Sequence, residues 1–152
     1  MRTLPAGSAA NVGATPDAPA DRLAATLLDT TVLIDVLRGR PAVARLRALR
    51  PVGEVPFICA INIEELARGV RLDEEGALTG LLNGLRLAPL GRREAEMAGG
   101  WRRAFSDRGV TLSQADCLIA AAAVGVSATL ATGNPNDFPM SELAVDHWPV
   151  DA

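Results

Sequence analysis

The chain is poor in the side chains on which several classes of enzyme depend. Its 152 residues include no lysine, no tyrosine and a single histidine, His147. A Ser–His or His–His mechanism would lack its second partner, and a receiver or phosphatase domain would lack its lysine or its Gly-rich phosphate loop. We expect His147, beside Trp148, to pack the C-terminal segment and to take no part in catalysis.

Cysteines and long apolar runs are also scarce. Cys59 and Cys117 stand among apolar residues, which predicts buried thiols in a reducing compartment and no disulfide framework. No apolar stretch reaches the roughly 18 residues of a transmembrane helix. The first 25 residues do not have the charged and apolar regions of a secretory signal. We therefore expect a cytoplasmic protein without a membrane span.

The overall charge argues against a protein that coats nucleic acid. The net charge is −3 and the pI is about 5.1, whereas such proteins are usually basic. Any contact with nucleic acid must then use a local basic patch or a bound cation. Aromatic residues make up only 3% of the chain and hydrophobic residues 49%, so the core must consist of Leu, Val, Ile and Ala.

The order of apolar and polar segments predicts one α/β domain. Residues 1–24, rich in Ala, Gly, Pro, Ser and Asp, are expected to form a flexible N-terminal extension, and residues 25–150 the domain. Strands that alternate with helices favour a mostly parallel central sheet of about five strands flanked by helices. The predicted strands are Thr26–Leu28, Val55–Cys59, Leu85–Leu90, Ala128–Thr132 and, more weakly, Leu143–Val145.

Four carboxylates lie where predicted elements begin or end: Asp29, Glu65, Asp116 and Asp137. Asp29 and Asp137 follow strands, at the sheet edge where parallel sheets bind ligands. Acids gathered at one edge would repel one another unless a divalent cation neutralised them. A metal site is therefore the first hypothesis that the sequence raises.

Asp29 also has a structural interpretation, as the cap of the helix that follows it. Thr30 and Thr31 can provide that cap, which would leave Asp29 free for other work. Asp35, six residues further on, is mid-helix, and we expect it on a solvated face or behind the site.

Glu65 lies at the border of the buried face of its predicted helix, whereas Glu64 points to solvent. Gly69, one turn later, leaves space above the Glu65 carboxylate. The structural alternative is a surface ion pair of Glu65 with Arg68 or Arg71.

Asp116 and Asp137 have local alternatives as well. Ser113 and Asp116 fit a capping box, which taken alone explains the aspartate better than a metal ligand does. Asp137 lies in the loop 133–138, where turn chemistry alone favours Asn and Asp. In the metal interpretation, Thr132 and Asn134 would orient a bound water or a neighbouring acid.

The combination of these segments resembles the PIN domains. Leu28–Asp35 is similar to their opening motif, Ile63–Gly69 to their glutamate motif, Asp116–Ala122 to their third motif and Thr132–Phe138 to their closing motif. The resemblance covers residues 26 to 150, and the size is most similar to the VapC toxins of VapBC toxin–antitoxin pairs. Asn62 and Ile63 depart from the usual Ser or Thr before the glutamate, which puts a helix cap in doubt.

The resemblance implies an endoribonuclease dependent on Mg²⁺ or Mn²⁺ that leaves 5′-phosphate and 3′-hydroxyl ends. It assigns Asp29, Glu65 and Asp116 as metal ligands, with Asp137 as a ligand or a contact through water, and Thr30, Thr132 and Asn134 in support. It also implies a homodimer and an antitoxin whose C-terminal tail occupies a groove near the helix 74–82. The candidate phosphate contacts are Arg38, Arg40 and Arg68.

Two other functions remain compatible with the same acids. One is a nuclease directed at DNA, which cleavage assays on RNA and DNA distinguish. The other is a catalytically weak PIN domain that only binds RNA or a partner, for which toxicity would survive Asp29→Asn or Asp116→Asn.

Overall fold

A computed structural model of the chain describes residues 24–150. The predicted N-terminal extension lies outside the described residues, except for its last residue, Ala24. The six α-helices of the described region are α1 Thr30–Leu37, α2 Ala42–Arg47, α3 Ala60–Gly69, α4 Glu75–Asn83, α5 Arg92–Ser106 and α6 Gln114–Gly125. The five strands are β1 Ala25–Leu28, β2 Val55–Cys59, β3 Arg86–Ala88, β4 Thr129–Thr132 and β5 Val145–His147.

All five strands are parallel and form one sheet in the order β3-β2-β1-β4-β5. The predicted sheet of about five parallel strands is therefore confirmed. The weak last strand is β5, which begins at Val145, so the predicted segment Leu143–Val145 was two residues too early. No helix between residues 24 and 150 is both long and apolar enough to cross a membrane.

Helices cover both faces of the sheet. Successive residues of each strand point to opposite sides, and both sets of side chains are apolar and need to be buried. Leu27 and Leu130 pack against α5 and α6, in a core that also contains Trp101 and the buried alanines of α6. The next residues, Leu28 and Ala131, pack on the other side with the apolar faces of α1, α3 and α4. The central strands are apolar on both faces for this reason.

The carboxyl end of the sheet brings the predicted site residues together. β1 ends one residue before Asp29, and the Asp29 amide donates to the Ala131 carbonyl of β4 at 2.9 Å. β4 ends at Thr132, directly before the loop that carries Asp137. The parallel pairing of β1 and β4 therefore places two of the four acids at one edge.

Asp35 corrects one local prediction. Its side chain is 1% exposed, not solvated, and accepts a hydrogen bond from the Ala42 amide at 2.9 Å. Asp35 thus caps the beginning of α2 from the preceding helix, a contact between residues seven positions apart in the chain.

Candidate active site

All four predicted acids line one open groove of about 400 Å³ at the carboxyl end of the sheet. The acids come from four different segments: the end of β1, the middle of α3, the first turn of α6 and the loop after β4. The other residues that line this acidic groove are Thr30, Thr31, Ile34, Arg68, Gly69 and Asn134. Folding therefore assembles the set that the sequence predicted from separate motifs.

Asp29 is the most firmly held of the four carboxylates. It is 5% exposed, and its Oδ1 accepts from the Thr30 amide at 2.8 Å, so Asp29 itself caps α1. The prediction that Thr30 or Thr31 provides the cap was wrong. Asp29 Oδ2 accepts from Thr132 Oγ1 at 2.7 Å and, more weakly, from Thr31 Oγ1 at 3.4 Å. A carboxylate has enough lone pairs for the cap and a further ligand together.

Burial raises the pKa of Asp29 above its ordinary value. The hydrogen bonds from Thr132 and Thr30 oppose this shift, while the charges of Asp116 and Glu65 add to it. The neighbouring acids are therefore close enough to disfavour ionisation of Asp29.

Glu65 is half-buried and accepts from Thr30 Oγ1 at 2.6 Å. The alternative, an ion pair of Glu65 with Arg68 or Arg71, does not form; instead the exposed Glu64 lies 3.9 Å from Arg68. Asn62, completely buried, donates through Nδ2 to Thr30 Oγ1 at 3.1 Å and accepts the Cys59 amide on Oδ1 at 2.8 Å. Asn62 departs from the usual Ser or Thr and thereby put the helix cap in doubt, yet its own side chain caps α3.

Asp116 and Asp137 form the less constrained side of the groove. The Asp116 amide donates to Ser113 Oγ at 3.0 Å, so the predicted cap by Ser113 is present while the half-buried carboxylate lines the groove. Burial is the main cause that raises the pKa of Asp116, and the charges of Asp137 and Glu65 contribute. Asp137 is exposed, in a short 3₁₀ turn, Pro135–Asp137.

A tight turn after β4 joins the two sides of the groove. The Gly133 amide donates to Thr31 Oγ1 at 3.2 Å, and the Asn134 amide donates to Thr132 Oγ1 at 3.0 Å. A Cβ at Gly133 would lie 2.9 Å from a methyl group of Val150, so only glycine fits this position without movement.

The three candidate phosphate contacts differ in their surroundings. Arg68 lines the acidic groove and is exposed. Arg38 lies in an adjoining cleft, where its Nε donates to Glu74 at 3.2 Å. Arg40 is half-buried in the turn between α1 and α2 and does not line the groove. Arg68 is therefore the one of these three arginines that lines the groove together with the acids.

An apolar cleft continues from the acidic groove along α1, α2 and α4. It shares Ile34 and Gly69 with the groove, and its two wider sections measure about 360 and 330 Å³. The side chains that line this apolar cleft include Leu37, Val43, Leu46, Leu49, Leu81 and Leu85. The expected apolar groove near the helix 74–82 is therefore present, with α4 as one wall.

The donor set of the acidic groove fits a hard divalent cation, because it consists of carboxylate, hydroxyl and amide oxygens. Burial raises the pKa of Asp29 and Asp116, and neighbouring acids contribute, so a cation beside them would favour their charged forms. No three acidic, histidine or cysteine side chains within residues 24–150 are close enough together to hold a metal ion. The groove therefore has suitable oxygen donors but no preformed site of three ligands.

Two residues of this site escaped the sequence interpretation. Asn62 was noted only as a departure from a motif, although a polar residue three positions before Glu65 on the same helix was a usable signal. Glu74, which holds Arg38, had no such signal, because the two residues are 36 positions apart in the chain.

The chain belongs to the PIN domain family, whose model matches residues 26–141. Ribonuclease VapC19 of Mycobacterium tuberculosis is 36% identical over 115 residues, which are 75% of this chain and 92% of that protein. The predicted resemblance to PIN domains of the VapC type is thus confirmed.

Solved structures agree with the fold. VapBC2 from Rickettsia felis, bound to a DNA fragment from its promoter, matches with a TM-score of 0.74 at 22% identity, over 82% of this chain and 98% of that chain. FitAcB from Neisseria gonorrhoeae matches with a TM-score of 0.64 at 25% identity, over 82% and 97% of the two chains.

Proposed function

We propose that this protein is a metal-dependent endoribonuclease toxin that a cognate antitoxin neutralises. The observation that carries the proposal is the meeting of Asp29, Glu65, Asp116 and Asp137 in one groove. The 36% identity to a ribonuclease of the VapC type, over 92% of its length, supports RNA as the substrate.

Asp29, Glu65 and Asp116 would hold Mg²⁺ or Mn²⁺, with Asp137 as a ligand or a contact through water. When bound there, the ion would supply Lewis-acid activation of a water and neutralise charge on the leaving oxygen. Thr132 keeps one oxygen of Asp29 in place, and Thr30 does the same for Glu65. Two carboxylates of the groove are thereby positioned before substrate arrives.

The side chains around the acids support hydrolysis of a phosphodiester. Arg68, exposed on the rim, is the best placed of the candidate arginines to contact a phosphate of the RNA. Asn134 would orient a water beside Asp137, while the buried hydroxyl of Thr132 positions Asp29. Attack by that water with departure of the 3′-oxygen would leave the expected 5′-phosphate and 3′-hydroxyl ends. The buried thiols of Cys59 and Cys117 support action in the reducing cytoplasm.

The test of this activity is cleavage of RNA and of single-stranded DNA of the same sequence, with Mg²⁺, with Mn²⁺ and with EDTA. We expect cleavage of RNA only, dependent on the ion, and sequencing of the ends should find 5′-phosphates. Cleavage that survives EDTA, or that Asp29→Asn leaves intact, would refute the proposal. Cleavage of DNA in preference to RNA would replace RNA with DNA as the substrate.

The antitoxin would bind along the apolar cleft and reach the acidic groove. The leucines of α1, α2 and α4 offer an apolar surface next to the acids, which suits an amphipathic segment of a partner protein. Solved VapBC complexes with the same fold support a partner of the VapB type. Leu81→Asp should weaken inhibition by the antitoxin while cleavage of RNA continues, and unchanged inhibition would exclude this cleft.

The resemblance also implies a homodimer, which we propose as the form that acts on RNA. Light scattering of the purified toxin at several concentrations measures this directly. A mass of one chain, 15.8 kDa, at all concentrations would contradict it.

A further inference from the structure

We infer that Asn62 is a positioning residue for Glu65, which it orients through the hydroxyl of Thr30. The inference rests on the proposed role of Glu65 in holding the metal ion. Three hydrogen bonds carry it, from Cys59 to Asn62, from Asn62 to Thr30 and from Thr30 to Glu65. We call this chain of contacts the Asn62 relay.

The first bond determines how the amide of Asn62 is turned. The Cys59 N–H can only donate, so the atom of Asn62 that faces it at 2.8 Å must be the carbonyl oxygen. The amide nitrogen of Asn62 then points at Thr30 Oγ1, 3.1 Å away. Rotation of the amide by 180° would bring two donors together at Cys59 and lose this bond.

The second bond determines the direction of the third. The Thr30 hydroxyl has one proton, and because its oxygen accepts from Asn62, that proton is free to be donated elsewhere. Glu65 Oε1, 2.6 Å away, receives it. Glu65 Oε1 is thereby held as an acceptor, and its second oxygen is left for a ligand in the acidic groove.

The burial of Asn62 makes the direction of the relay stable. Asn62 is 0% exposed, so water cannot replace its contacts, and an unmatched amide there would lose its hydrogen bonds without compensation. Each of its polar atoms has a partner among the described residues. Outer contacts of this kind orient the ligands of metal sites, and their loss typically reduces metal affinity or activity about 10- to 100-fold.

The competing explanation is that Asn62 only caps α3. Glu94 offers a matched control, because it makes the equivalent bond at the start of α5, where its Oε1 accepts the Gly91 amide at 2.7 Å, outside the acidic groove. Asn62→Ala and Glu94→Ala should both lower thermal stability. Only Asn62→Ala should weaken Mn²⁺ binding measured by calorimetry without RNA, by about tenfold or more.

A double-mutant cycle tests whether the effect passes through Thr30. In a Thr30→Val background, Asn62→Ala should cause no further loss of Mn²⁺ affinity or of kcat. In a Thr30→Ser background, which keeps the hydroxyl, it should cause the same loss as in the natural chain. Independent losses in the Thr30→Val background, or unchanged Mn²⁺ affinity in Asn62→Ala, would reduce Asn62 to a helix cap and overturn the inference.

A Glu65→Gln variant separates this inference from the proposed function. If Glu65→Gln cleaves RNA and binds Mn²⁺ like the natural chain, the proposed role of Glu65 is wrong, and the inference falls with it. If Glu65→Gln is impaired but Asn62→Ala binds Mn²⁺ normally, only the inference fails. In the Glu65→Gln background, Asn62→Ala should have no further effect on Mn²⁺ affinity.

Discussion

The two sides of the acidic groove differ in how firmly they are built. On one side, Asp29 and Glu65 accept hydrogen bonds from three threonines, and Asp29 is almost fully buried. On the other side, Asp116 is half-buried, and Asp137 is exposed with no hydrogen bond to its carboxylate among the described residues. The difference separates a firm side, whose carboxylates are held by hydrogen bonds, from a more exposed open side.

No three acids in the described region lie within reach of one ion. Burial raises the pKa of both Asp29 and Asp116, and neighbouring acids add to both shifts, so the like charges of the groove repel one another. A divalent cation bound in the groove would offset that repulsion.

The largest expected effect is on the rate of RNA cleavage, when one acid on each side is replaced in a separate variant. Asp29→Asn should reduce RNA cleavage by at least about 100-fold, because even residues behind a metal site typically cause losses of 10- to 100-fold. Asp137→Asn should reduce it by about tenfold. The measurement is the rate of RNA cleavage at saturating Mn²⁺. Equal losses in the two variants would show that the firm side and the open side contribute equally to catalysis.

The next effect is the stabilisation of the folded protein by the ion. At a Mn²⁺ concentration of about 100 times Kd, the free energy of unfolding should rise by about 2.7 kcal/mol, since the ion binds the folded state only. Urea titrations with and without Mn²⁺ measure this difference. Asp29→Asn should abolish most of the gain, and a gain that persists in that variant would place the ion elsewhere.

A third change tests how tightly the turn that joins the two sides of the groove is packed. Gly133→Ala should lower the free energy of unfolding by about 1–3 kcal/mol, because its new methyl group would meet Val150 at 2.9 Å. Gly99→Ala is the control, since a Cβ there meets nothing within 4 Å and lies within α5. It should stabilise the protein by about 0.5–1 kcal/mol. A neutral Gly133→Ala would mean that this turn is as free as the open side.

The smallest expected effect is on stability as a function of pH without metal. The pKa of Asp29 and of Asp116 is higher in the folded chain than in the unfolded one, so the folded state holds these protons more tightly. Their contribution favours folding below the ordinary aspartate pKa of about 3.9 and is lost as the pH rises through the raised values.

Asp116→Asn should therefore gain stability relative to the natural chain as the pH rises from about 4 to 7 in EDTA. Urea titrations at several pH values measure the gain. Saturating Mn²⁺ should reverse the order of the two proteins at pH 7. A stability difference that does not change with pH would mean that folding does not raise the pKa of Asp116.

The sequence predicted the identity of the four acids and the sheet edge at which they meet. Short apolar segments between helices indicated the strands, and Asp29 and Asp137 follow strands that run parallel. The errors were local: Asp29 caps α1 itself, Asp35 is buried, and His147 exposes its side chain while its carbonyl accepts from Arg45. The error at Asp29 concerns which of several able polar groups makes a given bond, a choice that residue type leaves open. The burial of Asp35 and the exposure of His147 depend on tertiary packing instead.

By itself, the amino-acid sequence determined the strands, the helices and the set of carboxylates, because these follow from periodicity and residue type along a short stretch of chain. Only the tertiary structure decided which partner holds each carboxylate. Thr132 and Asp29 are 103 positions apart, and Asn62 and Thr30 are 32 positions apart, yet both pairs are within hydrogen-bond distance. A hydrogen bond requires donor and acceptor about 3 Å apart and aligned, and only the packing of the sheet and its helices sets that geometry.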